Sequence, residues 1–138
     1  LASCYAGIAF GNAGCAAVHA LSYSIGGAFH VPHGEANYQF FTEVFKMYQR
    51  KEPNGKIVNC NKILADALGC PADDKVYDRL EEFLNKLIVK KPLRDYGMTE
   101  AQIDEFTDST VENQQRLLVN NYVFLDRDEI HEIFANLY

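Results

Sequence analysis

The sequence predicts an all-α protein, a helical bundle. Apolar residues recur at three- and four-residue spacing over most of its 138 residues, and no alternating apolar–polar run is long enough for a strand. Punctuation agrees with this: Gly69, Pro92, Thr99 and Asp126 stand at the edges of the later periodic stretches.

The elements follow in order. Small residues at Gly7, Gly11 and Gly14 open the chain inside a helical pattern. Each Gly costs a helix about 1 kcal/mol relative to Ala, so the pattern implies a close approach of another helix or a ligand. Val18, Leu21 and Ile25 continue the stripe, and Gly26-Gly27 is expected to end it. Pro32 then favours the first turn of a new helix, whose apolar face is Phe40, Phe41, Val44, Phe45 and Tyr48. Glu52-Pro53-Asn54-Gly55 reads as a turn. Ile57, Cys60, Ile63, Leu64, Ala67 and Leu68 predict a third helix, stopped by Gly69 with Pro71 beyond. Val76, Leu80, Phe83, Leu84, Leu87 and Ile88 predict a fourth over 76–88, with Lys90 and Lys91 set to complement its dipole. Thr99 with Gln102 is a capping-box pattern for a short helix through Phe106; a further helix is expected over 111–118. Asp126 with Glu129 caps a last helix, whose inner stripe is Ile130, Ile133, Phe134 and Leu137. Residues 121–125 read as loop or at most a short extended piece.

Composition narrows the function. Apolar residues are 48% and charged residues 23%, which is ordinary for one globular domain with a sizeable core. A net charge of −6 argues against nucleic acid or an anionic membrane as a partner. The first quarter, up to Gly34, lacks charge, but its many Gly, Ser, Asn and His residues and the absence of flanking basic residues argue against a membrane span or a secretory signal. Cys4, Cys15, Cys60 and Cys70 contain no Cys-x-x-Cys pair. They read as free thiols, Cys15 and Cys60 buried among small or apolar residues, in a reducing cytoplasmic setting. The charged positions Asp73, Asp74, Asp78, Arg79, Glu81, Glu82 and Lys86 read as solvated surface.

The most informative residues are His19 and His33, fourteen positions apart in a stretch with no Asp, Glu, Lys or Arg before Glu35. Neutral imidazole is the commonest protein metal ligand. Pro32 makes the position of His33 rigid, and Gly34 leaves room beside it. Two histidines are still only half of a metal site, because zinc or ferrous iron takes three or four protein ligands. A histidine on an apolar helix is also an ordinary core residue, so spacing alone leaves both readings open.

The run Gly14…His19…Gly26-Gly27…Pro32-His33-Gly34…Asn37 resembles the C-terminal-domain signature of the iron-containing, or group III, alcohol dehydrogenases, which have a dehydroquinate synthase-like fold. The resemblance extends to Leu93–Glu100 and to the final stretch from Asp126 to Tyr138. It implies that residues 1–138 are a C-terminal helical metal-binding domain, incomplete at its N-terminus. His19 and His33 would bind a divalent metal, Fe2+ or Zn2+. An Asp and a further His on an earlier helix would complete the site upstream of Leu1, together with the α/β domain that binds NAD. Within the family, His19–Gly27 and Pro32–Tyr38 look most like members that interconvert 4-hydroxybutyrate and succinate semialdehyde. The implied partners are a small alcohol or aldehyde substrate and further copies in a homo-oligomer.

One position departs from the family pattern. Most members carry a second His four residues after the first ligand, near substrate and nicotinamide; here it is Tyr23. A Tyr hydroxyl donates and accepts a hydrogen bond but is a far weaker base. Tyr23 is thus the candidate catalytic residue, with His30 the other nearby candidate or simply a histidine exposed at a turn. Two rival readings stand beside this one: another family member acting on a short-chain alcohol or lactaldehyde, and a metal-free helical interaction module. The 138 residues hold no glycine-rich dinucleotide fingerprint. By themselves they are expected to be inactive, to bind metal weakly, and to self-associate through the uncharged face around Gly7, Gly11, Gly14 and Val18.

Overall fold

A computed structural model describes all 138 residues. It contains eight α-helices and no strand: α1 Ala2–Ala13, α2 Ala17–Phe29, α3 His33–Lys51, α4 Ile57–Leu68, α5 Val76–Leu84, α6 Ala101–Asn113, α7 Gln115–Leu118 and α8 Arg127–Leu137, with a 3-10 turn at Leu93–Tyr96. The all-α expectation holds.

Helix α3 is the axis of the bundle. Helix α2 runs along it, α8 and α5 pack on other sides, and α6 closes over α2 and α8. Ala17, Ala20, Leu21 and Ile25 of α2 meet Ala36, Phe40 and Val44 of α3, all essentially removed from water. Phe40 meets Phe134 of α8 edge-on at 5.3 Å. Burial of such side chains contributes about 1.5–3 kcal/mol each, so these contacts set the angle and depth at which α2 crosses α3.

The first periodic stretch is two helices, not one. It breaks at Gly14, whose φ of 76° only glycine adopts freely, and α1 and α2 meet at 99°. No single helix in the chain is long and apolar enough to cross a membrane. Gly26 and Gly27 do not end α2. It runs on to Phe29 and stops at His30, which takes the left-handed conformation at φ 54°. The expected close approach at Gly7 and Gly11 is not made within these residues: a Cβ at either would meet nothing within 4 Å. No residue of α1 is buried.

The caps behave as local chemistry dictates. Pro32 is the residue before α3, in an extended conformation that sends the chain into His33. Gly69 ends α4 at φ 65°. Asp126 and Glu129 form both bonds of a capping box at α8, at 2.9 and 2.8 Å.

Three faces or ends differ from expectation. The buried row of α4 is Ile57, Asn61 and Ala65, while Cys60 and Ile63 are exposed; Asn61 turns inward because its amide donates to Gln49 Oε1. Helix α5 stops at Leu84, where the backbone tightens to three-residue bonds from Lys86 to Phe83 and from Leu87 to Leu84. Leu87 and Ile88 therefore lie outside it and exposed. Lys90 is folded back onto Glu81 at 3.3 Å instead of facing a helix end, so Glu81 belongs to an internal charge cluster and is not plain solvated surface. Helix α6 continues past Phe106 to Asn113, so the separate helix expected over 111–118 is the end of α6 plus the single turn α7. All four cysteines are free, and none is buried: Cys4 and Cys60 are exposed, Cys15 and Cys70 half-buried.

Candidate metal centre

Helix α2 has a two-sided job. Its residues 17, 20, 21 and 25 face the core, which leaves 19 and 23 on the opposite side. Because no charged residue precedes Glu35, that side presents imidazole and phenol to its surroundings. The turn His30–Pro32 reverses the chain, and His33 is the first residue of α3. The α2–α3 packing then sets the His19 and His33 rings 5.2 Å apart, centroid to centroid. Tyr23, one turn after His19 and 40% exposed, lies 6.5 Å from the His19 ring and 6.4 Å from the His33 ring. Phe10 of α1 stacks on the far side of His19 at 6.2 Å.

The two imidazoles converge through their Nε2 atoms. The Asn37 amide nitrogen lies 3.0 Å from His33 Nε2 and 3.3 Å from His19 Nε2. An amide N–H donates, so both Nε2 lone pairs point at one place and the ring protons are assigned to Nδ1. Ser22 Oγ donates to Asn37 Oδ1 at 2.6 Å, which sets the amide's orientation. Burial, and then the nearby His33, hold His19 below the ordinary imidazole range. A neutral His19 is the form that binds a metal.

This donor set fits half of a divalent-metal site. Two facing neutral imidazoles suit Fe2+ or Zn2+, and no third His, Cys, Asp or Glu of these residues joins them. The remaining histidines stand elsewhere. His30 is exposed at the end of α2. His131 on α8 faces Asp104 at 3.6 Å. Gly34, beside His33, is open: a Cβ there would touch nothing within 4 Å.

Sequence reasoning named His19, His33 and Tyr23 as candidates and assigned nothing to Ser22 and Asn37. The signal was present in their spacing. Asn37 follows His33 by four and Ser22 follows His19 by three, so each shares a face with its histidine. Around α3 a brace keeps the helix start in place. Tyr96 Oη donates to Glu35 at 2.7 Å and accepts from Gln39 Nε2 at 3.0 Å. On the other side of His19 lies an apolar groove of about 300 Å3, lined by Phe10, Val18, Phe41, Phe45 and Tyr48 among others.

Residues 1–138 match the family model described as "Fe-containing alcohol dehydrogenase family, C-terminal". The chain belongs to the Fe-containing alcohol dehydrogenase family. It is 59% identical over 138 residues to the 4-hydroxybutyrate dehydrogenase of Clostridium kluyveri, a match covering 100% of this chain and 37% of that protein. It is 33% identical over 140 residues to long-chain-alcohol dehydrogenase 1 of Geobacillus thermodenitrificans, covering 94% of this chain and 33% of the relative. A third relative, the NADPH-dependent butanol dehydrogenase of Clostridium saccharobutylicum, is 28% identical over 148 residues, with 99% and 36% covered. The chain thus spans about a third of the length of these relatives. No solved structure matches it significantly.

Proposed function

We propose that these residues are the C-terminal helical, metal-binding part of an NAD-linked alcohol dehydrogenase that interconverts 4-hydroxybutyrate and succinate semialdehyde. The observation that carries the reading is the convergence of His19 Nε2 and His33 Nε2 on one point, in a chain 59% identical to a 4-hydroxybutyrate dehydrogenase. In this reading the other ligands and the NAD-binding domain come from outside the 138 residues. When bound, a divalent metal, Fe2+ or Zn2+, supplies a Lewis acid for the charge that develops on the reacting oxygen. His19 and His33 hold it through neutral nitrogens. The Tyr23 hydroxyl, on the same side of α2, orients the substrate oxygen by a hydrogen bond and does not act as a base at neutral pH. The core face of α2 keeps this arrangement rigid, and Phe10 stacked on His19 shields one flank from water.

The test uses the full-length enzyme. His19→Ala and His33→Ala should each lose metal and NAD-dependent oxidation together, since a ligand is removed outright. Full metal occupancy in either variant, by elemental analysis, overturns the ligand assignment. A panel of 4-hydroxybutyrate, 1-butanol and propane-1,2-diol tests the substrate. Preference for an uncharged alcohol would replace 4-hydroxybutyrate with the short-chain alcohol or lactaldehyde reading and leave the metal site intact.

A further inference from the structure

Asn37 does more than bridge two helices. Its amide carries two N–H donors, and they face two imidazole acceptors at 3.0 and 3.3 Å. Its oxygen is taken by the Ser22 hydroxyl at 2.6 Å, and the same hydroxyl lies 3.1 Å from the His19 carbonyl. Ser22 is buried, so this anchor does not swing with solvent. With its nitrogen toward the rings the amide donates to both Nε2 atoms; turned over, its oxygen would accept from Nε2–H at both rings and its N–H would donate to the Ser22 oxygen. Either way the amide couples the two rings, so that both carry the same tautomer; with its nitrogen placed toward them, that is the proton on Nδ1 and the lone pair on Nε2.

We propose that Asn37, anchored by Ser22, is a positioning residue that holds His19 and His33 in the Nδ1–H tautomer with their Nε2 atoms converged before a divalent cation arrives. The proposal rests on the metal-site reading above. Asn37 marks the cation's place with two N–H dipoles and hands over both nitrogens already aimed. A cation at that place displaces both hydrogen bonds, so Asn37 contributes through the pre-set aim and tautomer of the rings; a ring only half in the competent tautomer weakens the apparent affinity about twofold. Packing of α2 on α3 does not depend on this bond, because Leu21, Ile25, Phe40 and Val44 carry it.

The experiment takes the full-length protein, stripped of metal by chelation, with ring-15N-labelled histidine. Tautomers are read from the imidazole nitrogen shifts, and Zn2+ affinity from competition with a chromophoric chelator. Wild type should show His19 and His33 as Nδ1–H. Asn37→Ala should give a mixture of tautomers and a Kd for Zn2+ raised about two- to fourfold, with an unchanged circular-dichroism melt. Ser22→Ala, a smaller change that leaves the fold intact if Asn37→Ala does not, should shift both readouts in the same direction, by about twofold or less in Kd, as expected for loosening one anchoring hydrogen bond. Wild-type tautomers and affinity in both variants would overturn the proposal while leaving the ligand assignment to the His19→Ala result. A wild type that binds no Zn2+ would overturn the metal reading and this proposal with it.

Discussion

The backbone amide of Ala17 donates to Asn121 Oδ1 at 2.7 Å across 104 positions of sequence. That bond caps the start of α2, the helix that carries His19, from a loop between α7 and α8. The same oxygen accepts the Tyr48 hydroxyl at 2.9 Å, and burial raises the pKa of that hydroxyl. The neighbouring Asn120 donates to the Cys15 carbonyl at 3.0 Å and stands 2.9 Å from where a Cβ on Gly14 would lie. The α1–α2 bend is therefore held from the far end of the chain.

Asn121→Ala should lower stability by about 1–2 kcal/mol, the range for losing a helix N-cap, with a further loss from the orphaned Tyr48 hydroxyl. Asn121→Asp keeps the accepting oxygen and adds a negative charge at a helix start, and should retain most of the stability. Denaturant midpoints of the two variants check this. An unchanged midpoint in Asn121→Ala would show that the Ala17 bond contributes nothing.

Tyr23→Phe in the full-length enzyme should keep the metal and lower turnover about two- to tenfold, the range for one hydrogen bond of about 0.5–1.5 kcal/mol. The loss should appear in kcat more than in KM if the bond strengthens in the transition state. Turnover and a pH–rate profile equal to wild type would count against a role for the hydroxyl.

Glu81 should govern part of the acid stability. Burial alone would raise its pKa, but the hydrogen bond from Thr42 and the ammonium groups of Lys90 and Lys46 outweigh that and leave it below the ordinary carboxylate value. A carboxylate depressed in the folded state stabilises it above the unfolded pKa of about 4.3. That contribution is lost as pH falls through the lower, folded value. Glu81→Gln should cost about 2 kcal/mol at pH 7 and progressively less as the pH drops below 4. Lys90 is asymmetric to its partner: burial lowers its pKa more than Glu81 restores it. Lys90→Met should therefore cost less than Glu81→Gln. Equal losses at pH 7, measured by urea titration, would contradict this.

Helix α1 bears on association. Tyr5, Ile8 and Phe10 are 63%, 58% and 54% exposed, and the apolar groove beside Phe10 continues that surface. The 138 residues alone should self-associate in sedimentation velocity, and Ile8→Glu should shift them toward monomer. No thermal stabilisation by NAD is expected. A stable monomer whose melting temperature rises with NAD would place nucleotide binding within these residues.

What the sequence determined by itself was the local chemistry. The all-α class, the caps at Gly69 and Asp126–Glu129, the start of α3 at Pro32, and the core stripes of α3 and α8 each depend on groups within one or two turns of each other, so a short window contains both partners. The His19–His33 pair was legible for the same reason, as a spacing. Only the tertiary structure decided the rest. The break at Gly14 needs Asn120 and Asn121; the inward turn of Asn61 needs Gln49; the early end of α5 leaves Lys90 free to reach Glu81. The convergence of the two histidines depends on how Leu21 and Ile25 seat against Phe40, and its precision depends on Ser22 and Asn37. Such bonds join residues far apart in sequence, and no local pattern encodes which distant groups the packing of helices will bring together.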